Sequence, residues 1–209
     1  MSSSLHPGPP RQRLSPAERR VQLLAVGAQL FAAHPYDEVL MEGVAERAGV
    51  SRALLYRHFP AKRDLFAALY QQAADRLLTE VRLEPGGDLL EQLSAGLDVH
   101  IDYFVANRLT VLAANGVLAG DPVIQTVIAG ELDVLRARLL DVLPVAGNET
   151  RETVSAVLKS WLVFVQVLCV DWLTKETCTC VELRDACIGA LLGALRPFLA
   201  TDPAPARPQ

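Results

Sequence analysis

Apolar residues recur every three or four positions along most of the chain, which predicts a succession of amphipathic helices. Ser15-Pro16-Ala17-Glu18 carries a helix start: a capping serine, a proline suited to the first turn, and a glutamate at capping-box spacing. Val21, Leu24, Ala28 and Phe31 then mark the apolar face of a first helix that His34-Pro35 ends. A short helix over 41–48 follows, with Val44 and Ala45 inward and Glu42, Glu46 and Arg47 outward. Gly49 turns the chain, and Ser51 caps a helix over 52–59. Pro60 closes that segment. A longer helix opens at Ala61-Lys62-Arg63-Asp64 and runs to about Val81, its apolar positions being Leu65, Phe66, Leu69, Ala73 and Leu77.

Glu84-Pro85-Gly86-Gly87 is the strongest break in the chain. Beyond it the pattern predicts helices over 88–107, 109–119, 122–143, 150–175 and 179–199. Residues 161–170 are rich in strand formers, but no turn residue interrupts the positions around them, so helix is the better reading. The expected organisation is a flexible arm over 1–14, a helix-turn-helix domain over 15–62, a helical body over 63–200 and a disordered tail over 201–209.

Composition agrees with an all-α protein. Of 209 residues 51% are hydrophobic, enough for a sizeable core, and Leu, Ala and Val dominate the aliphatic set. The net charge of −4 is unevenly placed. Residues 1–62 hold eight Lys and Arg against five Asp and Glu, whereas the remainder holds twelve against nineteen. A basic head on an acidic body suggests one local phosphate-facing surface. Residues 1–10 lack the apolar run of a signal peptide, so a cytoplasmic protein is expected. The most apolar stretch, 161–170, is read as core helix with no membrane span, being shorter than the roughly twenty residues a span needs.

Two short helices about a glycine turn, the second polar and basic on one face, are what a major-groove reader requires. The residues also resemble the TetR family of bacterial repressors. Pro35-Tyr36, Val44-Ala45-Glu46-Arg47-Ala48-Gly49-Val50-Ser51, Leu55-Tyr56-Arg57-His58-Phe59 and Lys62 match that family's pattern in order and spacing, over about 50 residues from Arg19 to Tyr70. Departures are Pro35, where the family usually has Gly; Leu40, where a capping Ser or Thr is usual and whose lack costs about 1 kcal/mol; and Leu54, often Thr. The expected DNA-contacting set is Ser51, Arg52, Ala53, Leu54, Tyr56, Arg57, His58 and Lys62. The resemblance gives Tyr56 and His58 phosphate oxygens, and Lys62 a phosphate near the start of its helix. Base reading falls to Arg52, Ala53 and Arg57, because arginine pairs bidentately with guanine and a small residue admits a thymine methyl. A phosphate contact alone is a nearly equal reading for Arg52. Arg11 and Arg13 either enter a minor groove or belong to a solvated arm.

For the body, the resemblance implies an effector pocket and a dimer interface. A two-fold operator needs the head presented twice, hence a homodimer on double-stranded DNA. Ala186, Gly189, Ala190 and Gly193 form a small-residue stripe suited to a partner helix or to close packing within one chain. His100, Tyr103, Phe104, Trp161, Phe164, Leu168 and Trp172 are either an aromatic-lined pocket or plain core. With few charges on these faces, a small apolar or cationic aromatic effector is expected. His100 has Asp98 and Asp102 on other helix faces and no second His at ligand spacing, so it is read as neither catalytic nor metal-binding. No cofactor, metal site or catalytic constellation is expected; Cys178 and Cys180 lack partners for a tetrahedral site. The reading is a ligand-responsive regulator, foremost a repressor. An activator or ligand-independent regulator, and more remotely a helical enzyme or carrier with a DNA-binding head, are the alternatives.

Overall fold

The computed structural model describes residues 14–145 and 147–198; Arg11, Arg13 and the expected tail lie outside them. All regular structure among the described residues is helical: α1 (Pro16–Ala33), a single 3-10 turn (Tyr36–Glu38), α2 (Met41–Arg47), α3 (Arg52–His58), α4 (Lys62–Glu80), α5 (Leu89–Ala106), α6 (Arg108–Asn115), α7 (Pro122–Val142), α8 (Asn148–Lys175) and α9 (Cys180–Leu195). The helix starts follow the chemistry of their caps. Ser15 and Glu18 form a reciprocal capping box, as do Thr179 and Glu182, and Asp121 accepts from the backbone N–H groups of Val123 and Ile124 ahead of Pro122.

Two buried clusters organise the chain. The first joins α1 to α4 through Leu23, Phe31, Val44, Leu55, Phe59 and Phe66, and it extends into the body through Ala114 and Leu118 of α6 and its flank and Ile124 and Ile128 of α7. The second holds the body together around Leu97, Ile101, Leu158, Leu173, Leu183 and Leu191. Helix α4 belongs to both, placing Leu65, Phe66 and Tyr70 in the first cluster and Leu77 in the second. Residue 62 therefore marks the start of a shared helix, with continuous packing on either side of it.

Several expected positions shift. On α1 the buried face is Leu23, Leu24, Gly27 and Phe31; Val21 and Ala28 point to solvent. On α4 Ala74 is buried and Ala73 only partly so. Helix α6 stops at Asn115 and α9 at Leu195, four residues short of expectation in each case. The largest correction concerns α8. The ten-residue apolar run is part of a 28-residue helix that, by length and composition, is apolar enough to cross a membrane, with mean hydropathy 1.8 over its most apolar window. One third of that window is buried in the chain. Part of the uncovered remainder is an apolar face with Val163, Phe164 and Val167 exposed.

One ionisable group sits against the grain of the core. Glu131, on α7 one turn before Leu135, is half-buried beside Tyr70 and Tyr103, and desolvation raises its carboxyl from 4.5 to about 7. The folded chain then binds a proton more tightly than the unfolded one, so this group favours folding at low pH and its contribution is lost as pH rises through about 7. Glu131→Gln should therefore stabilise the protein by about 1–2 kcal/mol at pH 8, with most of the gain gone by pH 5, as read by urea denaturation at the two pH values.

Candidate functional site

Helix α2 ends in a Schellman motif. The Gly49 N–H donates to Glu46 O and the Val50 N–H to Ala45 O, both at 3.0 Å, while Gly49 takes φ +64°, which a side chain would strain. The chain then reverses into Ser51, whose hydroxyl accepts from the Leu54 N–H at 3.2 Å and starts α3. Leu55 and Phe59 are fully buried and fix α3 on the head core. This leaves Arg52, Ala53, Tyr56 and Arg57 on the outer face, with Leu54 half-buried at its edge. The structure thus brings the expected base-reading residues and Tyr56 together on one short helix.

Helix α1 braces both ends of the unit. Gln22 donates to Ala48 O at 3.0 Å, and Arg20 donates to His58 O at 3.3 Å while its guanidinium lies 4.4 Å from the Phe59 ring centre. Helix α2 starts at Leu40 without a side-chain cap, as the sequence implied. Glu42, in its first turn, pairs with the Arg52 guanidinium; that hydrogen bond holds the Glu42 carboxyl below its usual range and raises the Arg52 guanidinium.

Two residues sit differently from the phosphate-facing picture. The Lys62 ammonium folds back on the 3-10 turn, donating to Tyr36 O at 2.8 Å and Asp37 O at 3.4 Å and lying 4.3 Å from the Tyr36 ring centre. The conflict between its charge and the helix start is relieved inside the chain by carbonyls and a ring face. His58 is half-buried, and its Nε2 is enclosed with no hydrogen-bond partner. Sequence reasoning missed the Glu42–Arg52 pair, although both residues were placed on outward faces of the adjoining helices.

In the body, a cavity of about 50 Å³ lies between the end of α4 and helices α5, α7 and α8. His100 and Trp161 of the expected pocket set line it. The others do not. Phe104 is buried with its ring 4.3 Å from that of His100, and Tyr103 is half-buried beside Glu131. Phe164 is 42% exposed on the far face of α8, Leu168 is half-buried, and Trp172 is buried near the α8–α9 turn with its indole N–H donated to Cys178 O. The expected aromatic stripe fails because the buried face of α8 runs through Leu158, Trp161, Leu162, Val165 and Cys169, which leaves Phe164 outside. His100 Nε2 has no partner, and burial lowers its imidazole from 6.5 to about 4. Gln92, missed from sequence, closes one end of the cavity by bonding both backbone groups of Glu84. Arg138 of α7, also missed, caps the last turn of α4 by donating to Leu78 O and Val81 O. Ala186, Gly189, Ala190 and Gly193 are all exposed on α9, and a Cβ added at Gly189 or Gly193 would meet nothing within 4 Å among the described residues. Cys178 and Cys180 are exposed free thiols, and no cluster of three metal-ligating groups occurs among the described residues.

Comparison with known proteins places these features. The model of the bacterial regulatory proteins of the tetR family matches residues 23–69. The chain is 37% identical over 93 residues to the HTH-type transcriptional activator FasR of Mycolicibacterium smegmatis, covering 44% of this chain and 42% of that one. It is 28% identical over 130 residues to the HTH-type transcriptional regulator RutR of Escherichia coli, covering 60% and 59%. The chain thus spans less than two thirds of the length of these curated relatives. Among solved structures, a tetR-family transcriptional regulator from Streptomyces coelicolor superposes with TM-score 0.76 at 24% identity, covering 88% of this chain and 83% of that one. The fatty acid degradation regulator FadR from Bacillus halodurans does so with TM-score 0.60 at 20% identity, covering 88% and 99%. These last two likenesses establish the fold across head and body.

The internal bonds of Lys62 give a direct test. Lys62→Met should lower the stability of the DNA-free protein by about 1–2 kcal/mol and loosen amide protection in the 3-10 turn, measured by denaturation and hydrogen exchange. A lysine serving only a phosphate would leave both unchanged.

Proposed function

We propose that the chain, whose residues 23–69 match the model of the tetR family of bacterial regulatory proteins, is a dimeric, ligand-responsive regulator of transcription in that family and binds a two-fold DNA operator. The observation that carries this is the outer face of α3, where Arg52, Ala53, Tyr56 and Arg57 project from a helix anchored by buried Leu55 and Phe59. Such a helix enters the major groove, with arginines reading base edges and Tyr56 and the edge of the turn meeting phosphates. The Lys62 ammonium, bonded to Tyr36 O and Asp37 O, keeps a third N–H for a phosphate, whereas His58 Nε2 is enclosed and must turn outward to reach one. Working on DNA, the protein acts in the cytoplasm.

The dimer reading rests on uncovered apolar surface. Val163, Phe164 and Val167 on α8, and the small residues of α9, belong to neighbouring helices and are left exposed by the described residues. A second copy covers this surface and sets the distance between the two heads. The effector site is the cavity beside α4, because that helix reaches the head core at its other end. A ligand that fits one position of α4 better than another changes head spacing and hence operator affinity. Release of a repressor is the foremost reading. Activation stands beside it, because the relative matched at 37% identity is named an activator.

Selection of bound sites from random DNA tests the activity, and enrichment of a two-fold motif is the expected result. Against that motif, Arg52→Ala should relax preference at one base pair by about 1–3 kcal/mol, whereas Tyr56→Ala should weaken all sequences alike. Val167→Glu should convert dimer to monomer in sedimentation and abolish cooperative operator binding. A variant that remains dimeric would remove α8 from the interface.

A further inference from the structure

The cavity beside α4 says more about its occupant than its position does. Two rows of side chains face each other across it: Leu93, Leu97 and His100 on α5, and Leu132, Leu135 and Leu139 on α7. Each row covers about 10 Å of helix. The slot between them is narrow. Its 50 Å³ is about one third of the roughly 150 Å³ that admits a benzene ring. A slender molecule can enter by displacing few walls, whereas a fused ring system would have to rebuild them all.

The polar groups in the walls are accounted for, with one exception. The Trp161 indole N–H donates to Cys187 O at 2.8 Å, which leaves only the carbon of its ring for the cavity. The Gln92 carboxamide is engaged by Glu84 at the mouth. No carboxylate, ammonium or guanidinium lines the cavity, and Glu131 faces Tyr70 and Tyr103 instead. His100 alone remains, 9% exposed, with Nε2 unpartnered. Burial keeps that imidazole neutral at pH 7, so Nε2 can donate or accept one hydrogen bond, according to the tautomer, and brings no charge. A buried polar atom with no partner costs free energy until something bonds to it.

We infer that the effector is a slender, unbranched apolar molecule bearing a single uncharged oxygen, an alcohol or a carbonyl, which bonds His100 while its chain lies between the leucines of α5 and α7. This deepens the effector reading above and rests on it for biological meaning. A carboxylate would enter without a counter-charge, and a cation would enter with neither a carboxylate nor a ring of acceptors to receive it. Because the empty slot is smaller than any such ligand, entry moves its walls, which include Val81 and Leu83 just beyond α4, where Arg138 and the Gln92 clamp hold the chain.

The test uses the full chain and a matched set of six-carbon probes at pH 7.5: 1-hexanol, 2-hexanone, hexanoate, hexylammonium and 1-chlorohexane, with binding followed by calorimetry and by tryptophan fluorescence. Hexanol and hexanone should bind at least tenfold more tightly than hexanoate or hexylammonium. His100→Leu should weaken hexanol about threefold to tenfold and leave chlorohexane unchanged or tighter. Equal binding of either ion, or a hexanol-to-chlorohexane ratio unaltered in His100→Leu, overturns the inference. Should that variant not fold, the order of the probes on the unaltered protein decides. Operator affinity is measured separately with and without hexanol. Tight, His100-dependent binding that leaves DNA affinity unchanged upholds the ligand class and removes the cavity from the regulatory reading.

Discussion

Helix α4 is the element on which the remaining structure depends. Its first half places Leu65, Phe66 and Tyr70 in the head core, and its last turns place Leu77 in the body core with Val81 just beyond. Nineteen residues of continuous helix make a rod of about 28 Å. Both ends are tied: the Asp64 carboxylate accepts from the Ala61 N–H at 2.9 Å, and Arg138 satisfies carbonyls at the C-terminal end. A rod embedded in two cores cannot shift in one without repacking the other.

The head was legible in the sequence because its requirements are local. A capping serine three residues before a glutamate, a glycine where the backbone must be left-handed, and a second capping serine each specify their geometry with no help from distant residues, and each is found in place. Long-range partners were not legible. Nothing near Lys62 in sequence indicates that its ammonium turns to carbonyls 25 and 26 residues earlier, or that Arg52 meets Glu42 across the turn. In the body, helical spacing gave the elements but not their rotation. Trp161 and Phe164 lie three residues apart, close enough for one stripe, yet α8 has a buried face on one side and an uncovered apolar face on the other. An apolar helix with two such faces defeats periodicity, which can locate only one. Glu131 carried a usable signal. It falls at helical spacing between Ile128 and Leu135, so a carboxylate on the buried stripe of α7 could have been read directly.

The body holds a few polar groups where leucine would pack more easily, and they divide by what satisfies them. Gln166 and Asn115 are bonded to each other at 2.8 Å, and Asn115 also to Val111 O, which fixes α6 against α8. Glu131 keeps its proton more readily than an ordinary carboxyl, and His100 gives its proton up more readily than an ordinary imidazole. Near neutrality, His100 contributes no charge and Glu131 only part of one. On acidification the two act oppositely. Protonating Glu131 relieves an unfavourable buried charge, whereas protonating His100 below about 4 creates one.

The head core is not closed by its own helices. Ala113, Ala114 and Leu118 complete it from α6 and the turn beyond, and Ile124 and Ile128 from α7. The head is therefore not an interchangeable part. Its sequence must drift in step with a patch of the body some fifty residues away, and a head grafted from a relative would arrive with the wrong counterpart for that patch. The outer face of α3 lies outside both cores, so substitutions there leave the shared packing undisturbed, whereas exchanging the head whole does not.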